Sequence, residues 1–261
     1  MRLIHLAWNY LRIGIANEIQ YRVNFLVQLL QSFIALAIGL ISLALVFSYT
    51  QELGGWHRPE LLAVMGVYTL MGGVIQSLIQ PNMLRLMDDI HEGTLDFALT
   101  KPVDAQTLVS VRKFRFWQLT DVLAGLAVIG VALGQMQARF GLWQALGFTA
   151  ALLLGTLMVY SFWLILTSVA FWVIRIYELV DIFQGIFAAG RWPVGIYPDW
   201  LRLGLTFLVP VAFAVTVPAE ALTSRLTPLS LLAAAGLALL LFALARLVWR
   251  QGTRRYSGAS A

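Results

Sequence analysis

Asp89-Ile90-His91-Glu92-Gly93-Thr94-Leu95-Asp96-Phe97-Ala98-Leu99-Thr100-Lys101-Pro102-Val103-Asp104 is the one long charged passage in an otherwise apolar chain. On both sides of it lie apolar runs of about 20 residues, the length an α-helix needs to cross a hydrocarbon core. Of the 261 residues, 60% are hydrophobic and 12% charged, and the mean hydropathy is +0.80. Folded alone in water, such a chain would expose far too much apolar surface. The expected fold is an all-α integral membrane protein, one transmembrane domain over residues 1–261, with the charged passage as a link outside the bilayer.

Working outward from that link, the hydropathy predicts six transmembrane helices, at about 25–47, 61–80, 117–136, 142–173, roughly 15 residues ending near Gly190, and about 229–249. Before the first, His5, Asn9 and Arg12 share one face while Leu3, Leu6, Tyr10 and Ile13 take the others, which predicts an interfacial helix within residues 1–22. The first residues lack the compact apolar core and cleavage site of a signal peptide, so the mature chain is expected to begin at Met1. Between the last two spans, residues 191–228 carry Pro193, Pro198, Pro210, Pro218 and Pro228 yet include a strongly apolar run from Leu201 to Val217. Proline breaks a continuous helix, and broken backbone enters a membrane only where protein or water satisfies it. Short external re-entrant helices are the expected form, with a kinked seventh span as the alternative.

Charge placement sets the expected orientation. With both termini cytoplasmic, thirteen basic residues fall inside, from Arg2, Arg12 and Arg22 through the 85–115 link to Arg254 and Arg255. Five, Arg58, Arg139, Arg191, Arg202 and Arg225, fall outside. That asymmetry follows the positive-inside rule, and the nine tryptophans and eight tyrosines suit the interfacial belts. The net charge of +5 is therefore read as topology and membrane-lipid contact, with no nucleic-acid patch.

A link of about 35 residues, 81–116, is long for a mere connection and is bracketed by Pro81 and Pro102. Within it Leu84, Met87, Ile90 and Leu95 can cover an apolar surface while Arg85, Asp88, Asp89 and Glu92 stay polar. Gly93 is placed to end one helical turn and Thr94 to cap the next through its hydroxyl. Four acidic residues, Asp88, Asp89, Glu92 and Asp96, oppose an anionic lipid surface, so a docked protein is the expected partner.

Polar groups inside the spans are few: Gln28, Gln31, Gln76, Gln80 and Gln184. Amides are costly in lipid unless they face a partner or a wet cavity, so they are candidate pathway-lining residues; interhelical hydrogen bonds fit equally well. Asp121, Arg175, Glu178 and Asp181 sit near span ends and are read as structural pairs, Arg175 with Glu178 at helical spacing. The Gly130 to Gly134 spacing permits close helix contact. Cysteine is absent, His5, His57 and His91 form no metal-ligand spacing, and there is neither a Gly-x-Ser-x-Gly turn nor a phosphate-binding Gly-x-x-x-x-Gly-Lys-Ser/Thr loop. No catalytic or metal residue is expected.

Taken together these motifs resemble the ABC-2 type transporter permeases, in the subfamily of systems with one ATPase and two permease subunits. The resemblance is carried by Gly93-Thr94-Leu95 running to Pro102-Val103, the basic Arg112-Lys113-Phe114-Arg115 before the third span, Pro193 to Pro198 followed by Trp200-Leu201, the interfacial helix, and the tail Arg254-Arg255-Tyr256. It implies a cytoplasmic coupling helix between spans two and three, with Met87, Asp88, Ile90, Glu92, Gly93, Thr94, Leu95 and Pro102 seated on a cytosolic ABC ATPase dimer. It further implies a second permease subunit, different or identical, and ATP with Mg bound on the ATPase, leaving this chain without cofactor or enzymatic activity. A cell inner-membrane location and an export direction follow from the same resemblance. A non-catalytic membrane scaffold recruiting a cytosolic partner and an ATP-independent channel or carrier are the alternatives. Cargo is not indicated.

Overall fold

The computed structural model describes residues 22–136, 141–173 and 177–256, with side chains over 26–136, 141–173 and 178–256. The expected interfacial helix over 1–22 lies outside them but for Arg22, as does Arg175 of the expected Arg175–Glu178 pair. Helix α1 (Arg22–Tyr49) leads into an antiparallel hairpin of β1 (Glu52–Leu53) and β2 (Trp56–His57), paired Glu52 to His57 and Leu53 to Trp56. Gly54 and Gly55 make its two-residue turn with φ of +57° and +79°, the positive-φ pair that such a tight hairpin requires.

Helix α2 (Arg58–Val74) starts with Pro59 in its first turn and with the Glu60 carboxylate accepting the His57 N–H at 2.8 Å. It runs through a π-helical turn, Ile75–Ile79, straight into α3 (Gln80–His91), giving one helix from Arg58 to His91. The expected break at Pro81 does not occur. Pro81 has no N–H, and the Ser77 carbonyl, four residues earlier, instead accepts from the Arg115 N–H at 3.0 Å. Next to it the Asn82 amide donates to the Leu78 and Lys113 carbonyls and accepts the Lys113 N–H, each at 2.7 Å. The returning basic segment thus repairs the helix it lies on.

Short helices α4 (Asp96–Leu99) and α5 (Ala105–Ser110) precede α6 (Leu119–Met136) and α7 (Leu142–Ser168). Then come α8 (Tyr177–Ala188), α9 (Asp199–Leu203), α10 (Val217–Leu222) and α11 (Pro228–Arg255). Among the described residues five stretches are long and apolar enough to cross a membrane: Leu26–Tyr49, Arg58–His91, Phe116–Met136, Leu142–Phe171 and Pro228–Arg255. By the same measure Asp199–Leu208 and Ala212–Leu222, bent by 77° around Pro210, add a sixth if they count as one. The expected span of about 15 residues ending near Gly190 is α8 with the 3-10 turn Ala189–Arg191 after it; α8 alone rises about 18 Å at 1.5 Å per residue, against a core of about 30 Å. Residues 201–217 fall in two helical pieces that meet at the bend around Pro210.

Close packing is centred on α2 and α6. A Cβ at Gly125 would sit 2.5 Å from the Leu70 nitrogen and 2.7 Å from the Gly66 carbonyl oxygen, so the two backbones touch with no room for a side chain. Gly66 and Gly73 face the same seam. Gly130 and Gly134, the pair expected to make such contact, meet nothing within 4 Å. On α7, Gly155 takes the backbone of Phe213 and Ala214 from the bent pair, whose Val211 and Val215 also cover Gly190. At the hairpin end, Arg225 bonds both Glu60 oxygens at 2.8 and 2.7 Å and the Gly55 carbonyl at 2.8 Å, and lies 4.6 Å above the Trp56 ring.

Candidate functional site

Two places concentrate polar side chains. At the charged end, Gly93 terminates α3 with φ +72°, a left-handed conformation natural to glycine, and the following Thr94 and Leu95 N–H groups return to the Asp89 carbonyl at 2.9 and 3.1 Å. That turn matches the expectation for Gly93. The expected cap by Thr94 does not form: its hydroxyl bonds the Asp89 carboxylate at 3.1 Å, and Leu95 occupies the position before α4. Asp89 is buried and paired with Arg85 at 3.0 Å and Arg112 at 2.8 Å, so one carboxylate binds α3, the Gly93 turn and the basic return segment together.

A second set of bonds fastens the link to the spans. Gln106 and Ser110 on α5 reach the Tyr160 hydroxyl of α7 at 3.3 and 2.8 Å, and Arg246 of α11 reaches Gln106 at 3.4 Å and Asp104 at 3.5 Å. Tyr256, past the end of α11, rests 6.0 Å from the Phe171 ring. Burial first, then the Asp96 and Asp89 carboxylates, pushes its phenol above the ordinary value.

Placement of the candidate coupling residues differs from the expected outward-facing apolar anchor. Met87, Ile90 and Leu95 are buried in the chain's own core, and Leu84 packs against it. The groove that receives the amphipathic helix is built by this chain. Asp88, Gly93 and Thr94 are half-buried, while Glu92 and Pro102 are exposed. The outer surface is instead Glu92 with Phe97, Leu99, Thr100, Lys101 and Pro102, among which Phe97 is 76% exposed. Phe97 stands in the same motif but was not singled out by periodicity, because it falls on the opposite side of the chain from Leu95.

The second place is a cleft of about 350 Å³ between α1, α2, α6 and α8. All five span glutamines line it: Gln28 and Gln31 from α1, Gln76 from the π turn, Gln80 at the head of α3 and Gln184 from α8. Sequence reasoning missed three further members, Gln118, Asp121 and Arg191. Asp121, expected as a structural ion pair, has none among the described residues and has the Ser32 hydroxyl beside it. Glu178 and Asp181 are exposed. One wall is aromatic: Tyr68 stacks on Phe187 at 5.2 Å, Phe187 on Phe183 at 5.8 Å, and the Arg191 guanidinium lies 5.5 Å over Tyr68. Amides donate and accept without titrating, so six of them can replace the hydration of a polar solute and release it again.

A family model described as ABC-2 family transporter protein matches residues 33–260. No curated protein and no solved structure matches the chain. Since that model spans most of the sequence, including the charged link and all of the cleft lining from Ala35 onward, this multi-pass, all-helical chain belongs to the ABC-2 family of transporter membrane proteins.

Proposed function

We propose that this chain is one permease subunit of an ATP-driven ABC-2 exporter, contributing half of the translocation pathway while a separate cytosolic ATPase hydrolyses ATP. The observation that carries this reading is the convergence of six glutamines from five elements on one cleft bordered by spans. Lipid-facing amides are costly, and their gathering on one wetted surface is what a pathway requires.

In this reading both termini and the 81–116 link are cytoplasmic and the 50–57 hairpin is external, as the thirteen-to-five basic asymmetry favours. Asp199–Leu222 is then a re-entrant pair. Its support is that Leu226, just past the pair, and Ala221 lie against Gly147, near the hairpin-side start of α7, whereas Phe213 and Ala214 reach Gly155 two turns deeper. Helix α8 and the turns after it make the remaining crossing to the outside. ATPase contact falls on the exposed Glu92, Phe97 and Thr100 to Pro102, and the buried Met87, Ile90 and Leu95 pass the displacement to α7 and α11. A second permease completes the membrane domain.

Purifying the tagged chain from its native membrane in mild detergent tests this, with mass spectrometry of its companions. An ABC ATPase and a second permease are the expected companions. Reproducible recovery of the chain alone overturns the reading.

A further inference from the structure

We propose that the glutamine cleft takes the headgroup of a zwitterionic amphiphile, its cationic group at Asp121 and its anionic group at Arg191, which rests on the cleft being the translocation pathway. Asp121 and Arg191 are opposite charges lining one cleft, and neither has an ion-pair partner among the described residues. Within a membrane each charge alone is expensive, and a solute bearing both complementary charges relieves both.

The two charges stand at different heights of the cleft. The Asp121 Cβ lies 3.0 Å from where a Cβ on Gly73 would stand, and the Arg191 guanidinium sits over Tyr68. Tyr68 and Gly73 are five residues apart on α2, about 7.5 Å along its axis and about 140° around it, so the two charges meet the cleft from different sides. Arg191 lies against the Tyr68 ring and makes no ion pair with Asp121, so the two charges stand apart in the cleft. Between and beside them Gln31, Thr69, Gln76 and Gln184 offer neutral donors and acceptors.

The volume, about 350 Å³, holds a headgroup and not a long acyl chain. The chain of the solute has another place to lie. Helix α1, which forms one wall, is only 11% buried over its apolar span and offers lipid-facing Leu29, Phe33 and Ile41 alongside. A polar cavity beside an exposed apolar helix admits an amphiphile with its head inside and its tail in lipid.

The test uses the complete transporter with its co-purified ATPase in phosphatidylglycerol nanodiscs. Three tail-labelled probes of equal chain length are compared by fluorescence polarisation: a lysophosphatidylethanolamine, an alkylamine and an alkyl phosphate. The zwitterion is expected to bind about tenfold tighter than either singly charged probe. Asp121→Asn removes its advantage over the phosphate, Arg191→Gln removes its advantage over the amine, and Asp121→Glu restores most of the preference, which separates charge from folding. Equal binding of all three probes, no binding of the lysophospholipid, or a preference unmoved by both charge variants overturns the proposal. Gln184→Leu tells the two readings apart: if it weakens all probes alike while the preference is absent, only the headgroup class fails. If it changes binding of none, the pathway reading fails with it.

Discussion

Leu26–Tyr49 and Arg58–His91 run beside each other, yet an 18-residue apolar stretch of the first has a mean hydropathy of 2.4 and 11% of its residues buried, whereas that of the second has 1.7 and 67%. Pro228–Arg255 repeats the first case, at 2.4 and 17%. In water the ranking would be reversed, because apolar area is what drives burial. Lipid tails solvate leucine as well as a protein core does, so a leucine-rich helix gains little by leaving them, and small residues that let backbones touch mark the interior. Arg58–His91 has those marks: Gly66 and Gly73 on the α6 seam, then buried Ser77, Gln80, Asn82 and Asp89, which need partners that lipid lacks.

The largest break in this comparison is expected from a side chain placed in the seam. Gly125→Leu would drive carbon into the backbone of Leu70 and Gly66, neither of which can rotate away, at a cost of at least about 3 kcal/mol. Gly130→Leu, one turn on and facing open space, should shift stability by less than about 0.5 kcal/mol. Fluorescence-detected thermal unfolding in detergent compares the two, and similar losses would remove the α2 and α6 seam as the core.

Asp89→Asn leaves Arg85 and Arg112 without their shared carboxylate. We expect about 2 kcal/mol, below the cost of breaking a fully buried pair because Arg85 is 40% exposed. The melting temperature of the variant reports it, and an unchanged value would mean that the Gly93 turn is held by backbone bonds alone.

Inside and outside of the link can be separated in the same way. Phe97→Asp should leave the melting temperature unchanged and abolish co-purification of the ATPase, since this ring has no packing to lose. Leu95→Asp should lower the melting temperature and lose the ATPase together, because it puts a carboxylate into the core. Retention of the ATPase by Phe97→Asp would move the contact elsewhere.

The smallest effect is expected at Tyr256. Its phenol is raised above the ordinary 10.0, so the folded protein prefers the proton more than the unfolded chain does. That contribution is complete below pH 10 and is lost as pH rises through the raised value. Wild type should therefore lose thermal stability above about pH 10 more than Tyr256→Phe, which keeps the ring against Phe171 but has nothing to titrate. Parallel pH profiles would show that the phenol does not feel the fold.

Much of the cleft was legible in the chain because an amide in lipid is conspicuous against its neighbours: Gln28, Gln31, Gln76, Gln80 and Gln184 all reach it. Gln118, Asp121 and Arg191 were hidden by position, since at the edge of a span the same residues are ordinary boundary groups. Only the short helix and bent pair, by bringing Arg191 back over Tyr68, make them members of one site. The link shows the reverse case. Periodicity correctly marked Met87, Ile90 and Leu95 as an apolar face, but periodicity cannot say whose surface covers that face, and here it is the chain's own.

Membrane residence, the approximate places of the long helices and the turn at Gly93 follow from local properties of the chain: hydropathy over a bilayer's length and a glycine able to take positive φ. These depend on the residue and the solvent around it. Which helix lies in the middle, why Pro81 leaves its helix intact, and which charges share a cleft depend on atoms distant in sequence, as Arg115 on Ser77, Gly125 on Gly66 and Arg191 on Tyr68 illustrate. Lipid is indifferent among apolar faces, so that choice falls to backbone contact and to polar groups finding partners, and both exist only once the helices are assembled.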